Sequence, residues 1–115
     1  MSESESERIG AVRDSFRAFA SGDRELIERV VGADLRFHAP PDPDLDRAGY
    51  FERCWPNAGH LEEFEFVRLF ERGEEVFVTY EAGRSDGSRF RNTEVHTVRD
   101  GRVIEIEVYF GWDLE

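Results

Sequence analysis

The chain has 115 residues, a length typical of one domain. It carries 26 acidic and 15 basic residues, and its formal net charge is −11. This charge repels nucleic-acid phosphates and anionic membrane surfaces, so we expect neither as a partner. The sequence holds no apolar run of about 18 residues that would predict a membrane-spanning helix. A single cysteine, Cys54, excludes an internal disulfide; with the acidic, polar start of the chain, it favours a cytoplasmic location.

The first half of the chain has the apolar spacing of helices. Residues 1–7 alternate serine and glutamate and predict a disordered acidic tail, which leaves residues 8–115 as a single domain. From there, apolar residues three and four apart predict a first helix, with Ile9, Val12, Phe16, Phe19 and Ala20 on one side. Ser21 and Gly22 end this helix and Asp23 caps a second one. The buried side of the second helix is predicted to hold Leu26, Ile27, Val30 and Val31, and Gly32 ends it.

A short strand and a third helix follow. Residues 35–39 alternate around Phe37 and predict the strand, whereas residues 40–46 contain three of the four prolines and predict a loop. Asp44 or Asp46 caps the third helix, whose apolar side is formed by Tyr50, Phe51, Cys54 and Trp55.

The second half of the chain alternates with the period of strands. Residues 61–70, 75–82, 90–98 and 103–112 predict four strands joined by short glycine-containing turns. On the last strand one side is predicted to hold Ile104, Ile106, Val108, Phe110 and Trp112. The fold class is therefore α+β, with three N-terminal helices packed on one face of a curved antiparallel sheet.

This order of elements resembles the nuclear-transport-factor-2-like superfamily, whose members form a cone-shaped α+β half-barrel. The stretch RNTEVHTVRDGRVIEIEVYFGW resembles the SnoaL-like branch in particular, with support from FRAFASGDRELIERVV, DLRFHAP and DLDRAGYFERCWPNAG. The resemblance implies a pocket between the concave sheet face and the helices, and a homodimer formed through the convex face. The fold carries polyketide cyclases, steroid isomerases, dehydratases, epoxide hydrolases and non-catalytic partners, so the site needs its own argument.

Glu94 and His96 are the candidate catalytic pair. Residues two apart in a strand point to the same face, so a carboxyl and an imidazole stand together if that face is concave. Such a pair is suited to general acid–base catalysis; the alternative is that the two groups only bond each other or face solvent. In steroid-isomerase members a protonated carboxylic acid on the equivalent strand binds an oxyanion, and Glu94 matches that position. The resemblance fails at the family's general-base Asp, which is replaced by Ala39 before Pro40.

The remaining candidates are aromatic and aliphatic residues expected to line the pocket. Aromatic residues at helical spacing are also typical of an ordinary core, and that alternative stays open for the helix residues. The histidines and Cys54 lack the spacing of a metal site, so we expect neither a metal nor a cofactor. The expected ligand-binding residues are Phe16, Phe19, Tyr50, Trp55, Val108, Phe110 and Trp112.

Two hypotheses follow for function. The first is a SnoaL-like pocket protein for a largely apolar ligand, cyclic molecules included, with cofactor-free acid–base chemistry by Glu94 and His96 if it is an enzyme. That chemistry would be of the isomerase, dehydratase, cyclase or epoxide hydrolase type. The second is a non-catalytic dimeric interaction module whose pocket is filled by side chains. A cavity that touches Glu94 favours the first hypothesis and a packed interior favours the second.

Overall fold

The structure is a computed structural model that describes residues 6–114, without the side chains of Glu62 and Glu63. Most of the predicted tail therefore lies outside the described residues. Its last two members belong to the first helix: the Ser6 hydroxyl accepts the backbone N–H of Ile9, and the helix begins at Glu7.

Three short helices form one layer of the molecule. They are α1 (Glu7–Ser21), α2 (Arg24–Val30) and α3 (Arg47–Arg53), and a single 3-10 turn (Trp55–Asn57) follows α3. Asp23 and Asp46 cap α2 and α3 by accepting backbone N–H groups, as predicted. Gly22 ends α1 with a φ of 75°, a conformation that glycine adopts without a steric penalty.

A six-stranded sheet forms the other layer. Its strands are β1 (Val31–Ala39), β2 (Asp42–Asp46), β3 (Glu62–Arg72), β4 (Glu75–Gly83), β5 (Arg89–Arg99) and β6 (Arg102–Leu114). Their order across the sheet is β2-β1-β6-β5-β4-β3. Neighbouring strands are antiparallel except for β1 and β6, which run parallel. The predicted α+β class, with helices on one face of a curved sheet, is confirmed.

Two predicted element boundaries are wrong. Residues 42–46 form β2 rather than a loop; the strand lies at the sheet edge, where the missing N–H of Pro43 removes no bond to a further strand. The second helix ends one residue early, so Val31 and Gly32 begin β1. Gly32 packs close to Ile104, since a Cβ at this position would lie 3.3 Å from the Cγ2 of Ile104.

The core lies between the helices and the concave sheet face. Alternate residues of β4 point inward and are buried, and Val76, Val78 and Ala82 have no exposed surface. From the helices, Val12, Phe16 and Ile27 complete the core. The intervening residues of β4 lie on the convex face, as the alternation of side chains along a strand requires.

Two one-residue register shifts interrupt the alternation of β6. Asn92 of β5 lies opposite Phe110, but Arg91 lies opposite Trp112, so Gly111 is an extra residue between them. The predicted shared side of Phe110 and Trp112 is therefore wrong. Trp112 instead lies beside Arg91, whose guanidinium carbon is 5.5 Å from the indole centroid. A similar shift at Ile104 lets Val103 take the fully buried position.

Candidate active site

A cavity of about 310 Å³ opens between the concave sheet face and helices α1 and α3. Its walls are mostly aromatic and aliphatic, and its polar groups come from a few side chains on β5, α1 and α3. This composition is typical of small-molecule sites, although the volume is at the lower end of their usual range. The central lining residues are Ser15, Phe16, Tyr50, Tyr80, Phe90, Asn92, Glu94, His96, Ile106 and Phe110.

Phe16 of α1 is the centre of the aromatic wall. Its ring centroid lies 5.0 Å from that of Tyr80, 5.2 Å from Phe64 and 5.4 Å from Phe66, in edge-to-face arrangements. Its ring also lies over His96, with centroids 5.3 Å apart. This packing shields the acid–imidazole pair from bulk water on the helix side.

Glu94 and His96 are hydrogen-bonded to each other at the wall of the cavity. The Nε2 atom of His96 lies 2.8 Å from Oε1 of Glu94, and the Tyr80 hydroxyl donates to Oε2 at 2.8 Å. Burial and the nearby Glu94 carboxylate raise the pKa of Tyr80, so this phenol stays protonated and donates. The Glu94 carboxylate is thus held from both sides.

The bonded chain continues to the rim of the sheet. The Asn92 side-chain amide donates to the Tyr80 hydroxyl at 3.4 Å, and the Asn92 side-chain oxygen accepts the backbone N–H of Gly111 at 3.2 Å. Because Gly111 is the extra residue of β6, the register shift directs its N–H to Asn92. The irregularity that removes Trp112 from the concave side therefore also supports the orientation of Tyr80.

The surroundings of His96 define its tautomer. The imidazole is 1% exposed, and its Nδ1 atom is buried without a hydrogen-bond partner among the described residues. A proton on Nδ1 would be a buried, unsatisfied donor, which costs more than an unfilled acceptor. We therefore assign the proton of the bond between His96 and Glu94 to Nε2, so that His96 donates to the Glu94 carboxyl group.

The helix side of the cavity carries two hydroxyls and a thiol. Tyr50 and Ser15 are 3% and 5% exposed, and both line the cavity. Burial, followed by the Glu94 charge, raises the pKa of Tyr50, so this phenol is neutral. Burial also raises the pKa of the Cys54 thiol to about 11, which makes it a poor nucleophile.

The mouth of the cavity lies beside the edge strand β2. Asp42 and Arg53 both line it and pair with each other, with Nε and Oδ1 2.6 Å apart. Ala39 and Pro41 form the adjoining wall. Phe110 closes the other side and is 58% exposed, an unusual exposure for phenylalanine. The charges of Asp42 and Arg53 at the mouth therefore neutralise each other, and the rest of the lining is mainly aromatic and aliphatic.

The structure brings most of the predicted site residues together. Glu94, His96, Phe16, Phe19, Tyr50, Val108 and Phe110 all line the cavity. Trp55 does not: it packs behind the wall, edge-on to Phe19 and Phe51 with centroids 5.8 and 6.1 Å away. Trp112 belongs to a shallower depression beyond the mouth, together with Arg84 and Asp113. These two tryptophans are corrected from lining residues to neighbours of the cavity.

Sequence reasoning did not select Tyr80, Asn92 and Ser15 as residues of the cavity. Tyr80 and Asn92 point to the concave face, as Val78 and Glu94 do, because each lies two residues from one of them in the same strand. Alternation does not indicate that Tyr80 and Asn92 are hydrogen-bonded to each other. Ser15 gave no signal beyond its place on the first helix beside Phe16. His38, next to Ala39, lies on the convex face as alternation predicts, and its Nε2 is 2.9 Å from a Glu105 oxygen. It is therefore no replacement for the missing family Asp.

Across residues 6–114, excluding the undescribed side chains, no three His, Cys, Asp or Glu residues form a group that would hold a metal ion. In the same part of the chain, no helix is long and apolar enough to span a bilayer.

The fold and site are those of a nuclear-transport-factor-2-like protein, in which an α+β cone encloses a small-molecule-sized cavity. A family model for the SnoaL-like domain matches residues 12–106. The chain therefore belongs to the SnoaL-like family. No curated protein matches the sequence.

Solved structures with the same fold include several proteins with names that describe an activity. A proposed ketosteroid isomerase from Kribbella flavida is 19% identical, with a TM-score of 0.79 over 95% of this chain and 81% of that one. An epoxide hydrolase of the LEH-like type from M. tuberculosis is 21% identical, with a TM-score of 0.74 over 91% and 79%. IdmH, a proposed polyketide cyclase from Streptomyces antibioticus, is also 21% identical, with a TM-score of 0.66 over 90% and 91%. At these identities the similarity establishes the fold alone.

Proposed function

We propose that this protein binds a compact, largely apolar small molecule in the cavity and acts on it by cofactor-free acid–base chemistry through Glu94 and His96. The observation that carries the proposal is the Glu94 carboxylate, held by Tyr80 and His96 at the wall of an aromatic cavity. A carboxylate with fixed orientation and little competing water is an efficient general base.

The geometry supports distinct roles for the pair. Glu94 removes a proton from the ligand, because its carboxylate lies on the cavity wall with its orientation fixed by Tyr80 and His96. His96 orients the carboxylate through the hydrogen bond from its Nε2 atom, and its Nδ1 atom has no hydrogen-bond partner among the described residues. In an isomerisation or a cyclisation, the proton taken by Glu94 then returns to another atom of the ligand. In a dehydration it leaves with the departing hydroxyl group as water. In epoxide opening, Glu94 takes the proton from the attacking water and the epoxide oxygen receives it.

The alternative function, a non-catalytic module with a filled pocket, has less support. A volume of about 310 Å³ bordered by Glu94 is more than a closely packed interior leaves between side chains. A steroid-isomerase mechanism with the family's own residues is also disfavoured. Ala39 stands where the general base would be. Phe16 lies near the first-helix position of the family's oxyanion-binding tyrosine, and phenylalanine cannot donate a hydrogen bond.

Proton abstraction by Glu94 is tested with a ketone that has acidic α-protons. We expect wild-type protein in D2O to accelerate deuterium uptake into 2-indanone, followed by ¹H NMR, and Glu94→Gln to return the rate to that of buffer. The matched control is Glu107→Gln on the convex face, where the carboxylate accepts only from the exposed Tyr109; it should exchange like wild type. Equal rates for wild type and Glu94→Gln would contradict the proposal.

We also propose a homodimer formed through the convex sheet face. Phe70 on β3 and Tyr109 and Trp112 on β6 are 53%, 54% and 63% exposed there, and exposed aromatic side chains on one face favour association. A second copy offers the same surface, so a two-fold contact pairs aromatic groups on both sides. Sedimentation velocity at micromolar concentration tests this: we expect a dimer for wild type and a monomer for Trp112→Glu. A monomeric wild type would refute it.

A further inference from the structure

The charged groups of the cavity include one carboxylate that no arginine neutralises. Asp42 and Arg53 at the mouth pair with each other, with Nε and Oδ1 2.6 Å apart. The carboxylate of Glu94, deeper in the cavity, is bonded to Tyr80 and His96, and none of the described ion pairs joins it to an arginine. The chain holds no lysine. A cationic ligand would therefore meet a carboxylate that is not already paired with a guanidinium.

The carboxylate is also the accessible member of the acid–imidazole pair. The side chain of Glu94 is 14% exposed, whereas that of His96 is 1% exposed. Glu94 lines the cavity, and each carboxylate oxygen can accept more than the one hydrogen bond that it has in the structure. A ligand in the cavity therefore reaches the acid rather than the imidazole.

The charge of Glu94 acts on both walls of the cavity. Burial is the first cause that raises the pKa of Tyr80 on the sheet side and of Tyr50 on the helix side, and the Glu94 carboxylate is the second cause for each phenol. Both phenols would become anions on losing a proton, so the carboxylate makes the cavity unfavourable for a further negative charge. The same charge favours a positive ligand, and the net charge of −11 on the whole chain attracts cations towards the protein.

Aromatic rings surround this carboxylate. The faces of such rings attract cations, and the attraction is strongest where water is excluded. One of the rings that line the cavity, Phe90, already makes such a contact with a side chain, since the guanidinium carbon of Arg84 lies 4.5 Å from its centroid. An aromatic wall around a carboxylate is suited to an organic ammonium group. The aromatic lining residues are Phe16, Phe19, Phe37, Tyr50, Phe64, Tyr80, Phe90 and Phe110.

We propose that the ligand is a compact organic cation, an aryl or alicyclic amine whose ammonium group lies against the Glu94 carboxylate and whose hydrocarbon body contacts the aromatic wall. This inference rests on the proposed function and deepens it by naming the ligand class. A cavity of about 310 Å³ limits the body to about one ring with a short substituent. Glu94 determines the specificity, because its charge distinguishes an ammonium from a neutral group of the same size. The ammonium proton that faces Glu94 can pass to the carboxylate, which leaves the neutral amine.

The test compares three one-ring probes of nearly equal size on the full chain. At about pH 7 benzylamine is a cation, benzyl alcohol is neutral and benzoate is an anion. Dissociation constants are measured by NMR titration. We expect wild type to bind benzylamine about tenfold more tightly than benzyl alcohol, since both the carboxylate and the ring faces favour the cation. Benzoate should bind most weakly, because its charge is repelled by Glu94.

Two variants identify the source of the preference. Glu94→Gln keeps the size of the side chain and removes its charge, so we expect it to abolish the preference for benzylamine over benzyl alcohol. Glu107→Gln is the matched control, because it removes the same charge on the convex face, where the carboxylate accepts from Tyr109. This control should retain the wild-type preference.

Several results would overturn the inference. Benzylamine might bind wild type no better than benzyl alcohol, which would mean that His96 already neutralises Glu94; failure of benzylamine to bind at all would have the same consequence. A preference for benzylamine that persists in Glu94→Gln would show that the net charge or the rings alone attract the cation. The comparison of the probes in wild type needs no variant, so it decides the question even if Glu94→Gln does not fold.

The exchange of 2-indanone protons separates this inference from the proposed function. Exchange that depends on Glu94, without a preference for benzylamine, would leave the proposed function intact and remove the inference. A preference for benzylamine that depends on Glu94, without exchange, would support the ligand class and count against the proposed chemistry.

Discussion

Removing the Tyr80 hydroxyl tests whether the buried chain of hydrogen bonds stabilises the fold. Tyr80→Phe keeps the ring and its contacts with Phe16 and Phe64, whose centroids lie 5.0 and 4.9 Å away. The only direct loss is the O–H that donates to Glu94 at 2.8 Å and accepts from Asn92. The experiment therefore isolates one hydrogen bond at a residue that is 4% exposed.

The expected magnitude comes from the charge of the acceptor. A hydrogen bond to an ionised group contributes about 1.5–3 kcal/mol, and removal of the donor leaves the Glu94 carboxylate with one fewer partner in a partly buried position. We expect the free energy of unfolding to fall by about 2 kcal/mol. For a domain of 115 residues this corresponds to a decrease of about 8 °C in Tm.

Tyr109→Phe is the matched control. Its hydroxyl also donates to a glutamate, Glu107, at 3.0 Å, but on the exposed convex face. At protein concentrations below those at which the proposed dimer forms, water replaces that bond, so we expect no measurable change in the urea midpoint. Circular dichroism monitors the unfolding by urea, and the curves of wild type and both variants are fitted with the m value of wild type. A Tyr80→Phe midpoint indistinguishable from wild type, or an equal loss in Tyr109→Phe, would refute the reasoning.

The remaining predictions concern pH and glycine. The carbonyl oxygen of Pro43 and the carboxylate of Glu105 both accept from His38 and raise its pKa above 6.5 in the folded protein. The imidazolium therefore adds stability that is fully present below about pH 6.5 and is lost as the pH rises through the folded-state pKa. Urea titrations between pH 5 and 9 should show this loss for wild type and not for His38→Gln. Gly111→Ala should destabilise by about 1–3 kcal/mol in urea, because the new Cβ overlaps a carbonyl oxygen of β5. Gly10→Ala, with no atom within 4 Å of the added carbon, should be neutral or slightly stabilising, and equal effects at both glycines would contradict the packing argument.

Much of the fold follows from local patterns in the sequence. Helix spacing placed Phe16 on the buried side of α1, and strand alternation placed Glu94 and His96 on the same face. Those patterns succeed because each element has one buried face and repeats with a fixed period. They fail where the period is broken: a single extra residue, Gly111, moves Trp112 to the other face. A glycine inside a strand is a signal of such a bulge, and alternation alone does not use it.

The sequence predicted that Glu94 and His96 share a face, but it did not predict the hydrogen bonds that join Glu94 to Tyr80 and Tyr80 to Asn92. The partner of His96 could be inferred from spacing within one strand. The bond from Tyr80 to Glu94 joins two strands, and its existence depends on the register between β4 and β5, which sets Val78 opposite Glu94. The edge strand β2 was missed for a related reason, since Pro43 argues against a strand until the strand is known to lie at the edge.

The position of β6 has a consequence for biosynthesis. This strand is made after the five others, yet it lies in the middle of the sheet and joins β1 to β5. While a ribosome is still producing it, the β1–β2 hairpin has no neighbour, and the β3–β5 meander exposes the edge that β6 will cover. The sheet therefore closes only after β6 has been translated, through contacts between segments far apart in the chain, and until then the edges of β1 and β5 are open to pairing with other strands.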